Sequence, residues 1–579
     1  MRVGSHNNKF SVHAIAGTHV ITLAMDAKED ATQGLLGFAY FRKKFDKNRV
    51  FIEKTWLEGY KPFEEVEPNP KPGVKYPTNV HPIQSFVWAD FAISQDRIYE
   101  YSIYPVTGTP TNPILDPNPL VIEVTPEPYK HDLHEIYFNR GVAASQAYAE
   151  KFKNIVPSAK SLTKEEKKER YDWLSRGLFE AVTAYINQAQ DGTFALRAAI
   201  YELDYPEIPI LFKQALDRGA DVKIVYEARK QKDKKTGEIK DNSQSKQNQK
   251  ALEDAGFALN DRTITFKREN TDGIPHNKFI VLLKNGEAQM VWTGSTNLSE
   301  GGIFGHSNVG HFIKDKDIAK EYLTYWELLK EDPKKTDLAA KVSQKWTDIN
   351  IDNYPKDKMS VIFSPRKGLK MLDFYANMFG SSKNISAITL PFNLDEKFEK
   401  KIAEDKESIR YLMFNSGKPK TELANELNKD PDIIAVAGSK MNNNWGQWLA
   451  EVHTGFNGSN VQYIHTKFLL IDPLGPEPIV ITGSANFSEP STNKNDENMV
   501  IIPCSNKQGE TRVQDIYLGE FFRLFDHLYF RYLAQTDKST DTEKRKRLFL
   551  KKTSEEWVTG YFKAGTDKYK RRENFSFGF

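Results

Sequence analysis

His276-Asn277-Lys278-Phe279-Ile280-Val281, followed by Gly294-Ser295-Thr296-Asn297-Leu298-Ser299-Glu300, has a counterpart later in the chain. That counterpart is His465-Thr466-Lys467-Phe468-Leu469-Leu470, then Gly483-Ser484-Ala485-Asn486-Phe487-Ser488-Glu489. In both copies the glycine stands 18 positions after the histidine, and the Ser-Glu ending falls at the same offset. Matched spacing of this kind marks an internal repeat. On a strand, side chains at i and i+2 share a face, so each His-x-Lys sends both groups into one site. The apolar run behind each lysine buries the strand. Each Gly-Ser-x-Asn turn ends a following strand (Met290 to Thr293, Ile479 to Thr482) and can offer hydroxyl, amide and backbone donors to an anion. One copy alone would be an ordinary strand end and turn; two at identical spacing are hard to read as chance.

The flanking sequence repeats the same logic. Phe194 to Tyr201 reads as a strand, Pro209 to Arg218 as a helix stopped by Gly219, and Val222 to Tyr226 as a strand, a β-α-β unit that implies a parallel sheet. A long helix over 164–190 precedes it, with Thr163 and Glu166 forming a capping box. In the second half Ser360 to Phe363, Ile385 to Leu390 and Ile409 to Met413 are strands with helices near 367–379 and 395–404 between them. The tail after about 510 is helical, with broad apolar coverage from Ile516 to Tyr529. Residues 1–130 differ. Short alternating runs such as Val12 to Ile15, Tyr99 to Tyr104 and Leu120 to Val124, between Pro- and Gly-rich turns, suggest a β-sandwich. Domains are therefore expected at 1–130, 131–350 and 351–579, the last with a helical basic tail. That count suits 579 residues.

The paired motifs resemble those of the phospholipase D superfamily, whose signature is His-x-Lys, four residues, Asp, then Gly-Ser-x-Asn. The resemblance covers about 160 to 510. The second copy is complete, with Asp472 five residues after Lys467; the first has Leu283 at that place. The resemblance implies an α/β fold, two α-β-α sandwich domains related by a pseudo-two-fold axis. With the N-terminal region it implies a β-sandwich-like domain ahead of them, whose Tyr-rich strand is similar to one of a fibronectin type III domain. It implies a phosphodiesterase that needs no metal or cofactor. Lys278 and Lys467 neutralise the phosphate, and Asn297 and Asn486 hold its free oxygens, with Ser295 and Ser484 as further binding groups. One imidazole attacks phosphorus to give a phosphohistidine, and the other protonates the leaving oxygen. Asp472 is implied to be structural. Family members place a histidine-orienting residue downstream of Gly-Ser-x-Asn, and here Asn308 and Glu497 each lie 32 positions after the histidine of their own copy. A carboxylate favours a protonated ring and an amide a free one. On that basis His276, facing Asn308, is expected as nucleophile and His465, facing Glu497, as general acid. His306, His311 and His453 are expected to be structural or surface groups.

Composition narrows the setting more than the substrate. One cysteine, Cys504, excludes an internal disulfide and a Cys₂ or Cys₄ zinc site. No apolar run of transmembrane length and no apolar N-terminal leader stands out, so a cytoplasmic protein is expected. The net charge is +3, but 229–250 carries eight basic against three acidic residues and 544–572 eleven against three. Either segment could meet a polyanion or be a solvated loop or tail. A nuclease acting on DNA or RNA is the favoured reading. A phospholipase, with Trp445 and Trp448 against lipid, and a catalytically silent nucleic-acid-binding module are the alternatives. Because both motifs lie in one chain, a monomer suffices.

Overall fold

The computed structural model describes all residues except 72, 142–144, 154, 233–236, 405–407, 416, 439–463, 505–509, 537–538 and 577–579. Trp445, Trp448 and His453 therefore lie outside the described residues.

Two mixed sheets of seven strands carry the repeat. The first contains β1 (His134–Phe138), β2 (Phe194–Ile200), β3 (Asp221–Glu227), β4 (Thr265–Arg268), β5 (Lys278–Lys284), β6 (Glu287–Gly294) and β7 (Val309–Ile313). The second contains β8 (Ser360–Ser364), β9 (Ile385–Leu390), β10 (Ile409–Phe414), β11 (Ile433–Ala437), β12 (Phe468–Ile471), β13 (Ile479–Gly483) and β14 (Glu497–Pro503). Their spatial orders are β1-β7-β6-β5-β2-β3-β4 and β8-β14-β13-β12-β9-β10-β11, so the second lobe repeats the first strand for strand. β2, β3 and β4 run parallel, as do β9, β10 and β11, while the motif strands β5 and β12 pair antiparallel to β2 and β9. β12 is buried throughout and β5 up to its final residue, which is why both read as unbroken apolar runs rather than alternating ones.

The expected helix over 164–190 is two helices, Lys164–Ser175 and Leu178–Ile186. The break is at Arg176 and Gly177, both with positive φ. Arg176 takes that conformation while its buried guanidinium binds the carbonyls of Phe138 and Asn139 and the carboxylate of Glu520. The capping box at Thr163 and Glu166 is present.

The N-terminal region holds a four-stranded and a five-stranded sheet whose inner faces share one core. Tyr99, Tyr101 and Ile103 all point into it. The basic tail joins this core. Helix Ser554–Phe562 inserts Trp557, Val558 and Tyr561. Lys552 pairs with Glu65, and Arg572 with Asp26. Much of the tail's charge is thus neutralised by the protein itself. Among the described residues, no helix is long and apolar enough to cross a membrane.

The two lobes are fused rather than tethered. Helix α1 (Lys316–Lys330) and helix α2 (Arg512–Thr536) contribute to one core shared by both sheets. Arg268 at the end of β4 reaches across to Asp496 at 2.8 Å and also binds Asp332 at 2.8 Å. Arg268 and Asp496 are wholly shielded from water. Removing one partner of such a buried pair costs about 3–5 kcal/mol, because the other charge stays desolvated. Arg268→Ala should therefore lower the thermal unfolding midpoint by several degrees, measured by circular dichroism. An unchanged midpoint would show that the clamp adds nothing.

Candidate active site

Both His-x-Lys strands end in one cleft of about 530 Å³ between the lobes. His276, His465, Asn297 and Asn486 line it, together with Tyr201, Glu202, Ile274, Phe392, Asn393, Leu394, Asp395, Glu489 and Asn495. The two imidazoles face each other with ring centroids 6.4 Å apart and planes at 75°. Lys278 and Lys467 are fully buried, and each ammonium donates to the carbonyl of its own histidine, at 2.8 and 2.6 Å.

The orienting contacts cross between copies. Nδ1 of His276 is 2.9 Å from the Glu497 carboxylate, and Nδ1 of His465 is 2.8 Å from the Asn308 amide oxygen. The sequence spacing pairs each histidine with the downstream residue of its own copy; the structure corrects that expectation by exchanging the partners. The backbone explains the exchange. The amide N–H of Asp496 donates to the carbonyl of Ile274, and the Asn495 side chain accepts from the N–H of Ile274. On the other side Ser307 bridges to Ile464, and its hydroxyl accepts from the N–H of His465. Each orienting residue is therefore delivered to the opposite lobe by its own loop.

The Gly-Ser-x-Asn turns build this delivery. A Cβ on Gly294 would lie 2.3 Å from the Val309 carbonyl oxygen, and one on Gly483 2.2 Å from that of Asn498. Only glycine lets these strand ends approach the strands carrying Asn308 and Glu497. The serine hydroxyls then hold the orienting groups: Ser295 donates to Asn308 at 2.9 Å, and Ser484 to Glu497 at 2.6 Å. Each hydroxyl also accepts a backbone N–H, from Val309 and Asn498 respectively. Ser295 and Ser484, like Lys278 and Lys467, lie behind the side chains that line the cleft, and their hydroxyls are engaged with the orienting residues. Asn308 has no freedom to flip, because its amide group also donates to the Gly302 carbonyl at 2.7 Å. By contrast the amide oxygens of Asn297 and Asn486 are buried with no hydrogen-bond partner among the described residues. Both belong to side chains lining the cleft, where a ligand's donors, or after an amide flip its oxygens, would complete them.

Burial dominates the protonation of the site. It pushes His276 down to about 4, with Glu497 opposing and Lys278 adding to the fall. His465 is held well below its usual value by burial, then by Lys467, His306 and the first-copy Lys278 and His276. Without a bound anion, both rings are thus neutral at pH 7. Burial also lowers Lys278 to about 8, against the pull of Glu497 and Glu202, and lowers Lys467 well below its usual range. Burial that depresses two lysines disfavours their charged forms, and a bound anion would offset that cost.

Asp472 lies outside the cleft. Its carboxylate accepts the N–H groups of Lys383, Asn384 and Ile385 and the Ser382 hydroxyl, fixing the start of β9. Leu283 instead continues β5 into the core and pairs with Ala195. Among residues that sequence reasoning missed, Glu202 is foremost. It sits just beyond β2, half-buried, with its pKa raised first by desolvation, while the Ser299 hydroxyl, donating to its carboxylate at 2.7 Å, opposes that rise. Ligands gather at the carboxyl ends of strands in α/β sheets, and that rule points to it. His306, expected as a structural or surface group, packs its ring 5.7 Å from that of His465. His311 is buried against His134 and Tyr517, away from the cleft.

Two segments of the chain, 182–329 and 413–515, match the family model for the cardiolipin synthase, PLD-like domain. These two segments carry a phospholipase D-like domain. Several solved structures are similar. The polyphosphate kinase from Porphyromonas gingivalis is 10% identical, with a TM-score of 0.36 over 56% of this chain and 43% of that one. The phosphatidylserine synthase from Haemophilus influenzae Rd KW20 is 12% identical, with a TM-score of 0.43 over 64% and 90%. Nuc from Salmonella typhimurium is 21% identical, with a TM-score of 0.19 over 26% and 84%. The chain thus spans less than half of the polyphosphate kinase, and none of the three likenesses bears on substrate. No curated protein matches the sequence.

The lysine chemistry gives a pH dependence to any phosphodiester cleavage at this site. Below about 8 Lys278 carries its charge, and as pH rises through that value the charge is lost. Cleavage of bis(4-nitrophenyl) phosphate should therefore show kcat/KM falling as pH climbs past about 8. Lys278→Arg should lower the rate but move the decline upward, since arginine keeps its charge. A flat profile to pH 10 in the unaltered protein would contradict this electrostatic picture.

Proposed function

We propose that the chain is a phosphodiester hydrolase that works through a covalent phosphohistidine on His276, with DNA or RNA as its substrate. The observation that carries the mechanism is the unequal pair of orienting partners. A neutral His276 with its Nδ1 proton on Glu497 presents Nε2 to phosphorus. When Nε2 attacks, the ring gains positive charge that it cannot shed, and the carboxylate 2.9 Å away stabilises it. His465 faces a neutral amide, which leaves its protonated form a strong acid. The bound anion offsets Lys278 and Lys467, so His465 can take up a proton before the leaving oxygen needs it. The P–O bond breaks as that proton moves to the leaving alcohol. His465, now neutral, takes a proton from water; the water attacks phosphorus and the P–N bond breaks. With the partners exchanged, the sequence argument that a carboxylate marks the acid would reverse these roles; the assignment rests instead on the carboxylate's stabilisation of the charged phosphohistidine.

Lys278, Lys467, Asn297 and Asn486 hold the non-bridging oxygens, Asn308 and Glu497 orient the rings, and no step is assigned to a metal. Nucleic acid is favoured by the basic hairpin Lys230–Lys232 with Ile239–Asp241, whose Lys230 and Lys232 are exposed. Arg229 roots it on the Gly273 carbonyl, next to Ile274 of the cleft. The rim itself carries Glu202, Asp395 and Glu489, so the cleft suits one phosphate at the lysines rather than a run of phosphates.

Rapid quenching with a ³²P-labelled oligonucleotide in EDTA tests this reading. His465→Ala should accumulate an acid-labile phosphoprotein labelled at His276, and His276→Ala should give none. Label on His465 would reverse the roles. Loss of turnover in EDTA would remove the metal-free mechanism, and cleavage confined to phosphatidylcholine would remove nucleic acid as substrate.

A further inference from the structure

Phe392 stands out at the mouth of the cleft. It lines the same cavity as the two histidines, yet half of it, 50%, is exposed to solvent. It lies just beyond β9, at the position that Glu202 holds beyond β2. The pseudo-two-fold is therefore broken here: one side of the cleft offers a half-buried carboxylate, the other an open aromatic face. The mechanism above uses neither.

The surroundings of Phe392 are polar. Asn393 and Asp395 line the cleft beside it, and the Lys420 ammonium lies 5.9 Å from its ring centroid. Lys420 is itself tied to the Pro391 carbonyl at 3.1 Å, so the cation is held near the ring. An aromatic face for stacking beside a cation is the unit from which single-stranded nucleic acid sites are built. Hydrogen-bonding side chains alongside it can meet base edges, with Asp accepting from an exocyclic amine and Asn able to donate and accept. A membrane contact would call for several large apolar side chains together. Among the described residues lining the cleft, Leu394 is buried and Phe392 is the one large hydrophobic that is exposed.

Resting on the nucleic-acid reading, we propose that Phe392 is a stacking platform for the nucleobase adjoining the scissile phosphate. Asn393 and Asp395 contact the edge of that base. The phosphate then lies on the two lysines, and Asp395 and Glu489 keep a second phosphate from that side. The substrate class is an unpaired nucleotide, as found in single-stranded DNA or RNA or at a frayed end, because a paired base cannot lay its face on the ring.

Fluorescence anisotropy with a fluorescein-labelled single-stranded oligonucleotide, on His276→Ala protein, measures this without turnover. Base stacking contributes about 1–3 kcal/mol, so adding Phe392→Ala should weaken binding roughly 5- to 150-fold. Phe392→Trp should restore it. On an oligonucleotide abasic at the nucleotide adjoining the scissile phosphate, the proteins with and without the Phe392→Ala change should bind alike. Equal weakening on intact and abasic strands would overturn the proposal, as would rescue by Phe392→Leu as complete as by Phe392→Trp. Binding to phosphatidylcholine vesicles that depends on Phe392, with none to the oligonucleotide, would overturn it in favour of a membrane contact. Hydrolysis of bis(4-nitrophenyl) phosphate by the unaltered protein reports separately on the phosphodiesterase reading. If that hydrolysis is absent, the mechanism fails while the anisotropy still decides the role of Phe392.

Discussion

The crossing of the two orienting contacts is the constraint on which the site depends. His276 answers to Glu497 and His465 to Asn308, so neither lobe holds a complete half-site. This explains why the lobes share a core instead of sitting on a linker. A buried Arg268–Asp496 pair and the Asp496–Ile274 backbone bond set the position of Glu497. A drift of even ~1 Å between the lobes would lengthen both histidine contacts at once. Bistable or loosely hinged packing would be incompatible with that geometry, and the continuous core removes it.

Gly-Ser-x-Asn takes on a clearer meaning in this light. The glycine admits a neighbouring strand at backbone contact, the serine fixes the orienting residue, and the asparagine faces the cleft with its amide oxygen unpartnered among the described residues. Three adjacent functions therefore sit in four residues, and only the last lines the cleft. The same division applies to Asp472, which secures the start of β9 and has no counterpart at Leu283, where β5 simply runs on.

Much of this was legible in the sequence. The i, i+2 spacing of His and Lys, the 18-residue offset to glycine and the β-α-β pattern define the sheet and its repeat, because strand periodicity and parallel connections leave few alternatives. The crossing was not legible. Asn308 and Glu497 stand at the same distance from their own histidines, and a matched interval is equally consistent with pairing within a copy or between copies. Only the loops at Ser307 and Asn495 decide it, through backbone contacts with no sequence signature. Arg176 was hidden for a similar reason: a helical apolar pattern ran through it, and a buried guanidinium with three partners outweighed helix propensity. The basic tail shows that charge alone does not mark a binding surface, since Lys552 and Arg572 pair with the N-terminal region.

The crossed pairing can be read from the histidine rings themselves. Long-range ¹H–¹⁵N spectra of [¹⁵N]histidine-labelled protein, titrated with acid, follow each imidazole separately. Asn308→Asp places a carboxylate beside one ring only, and a carboxylate raises the proton affinity of the ring it touches. The structure requires the titration of His465 to move upward while His276, at about 4, stays where it is. Movement of His276 with His465 unchanged would mean that each copy orients its own histidine, and the crossed site would be contradicted.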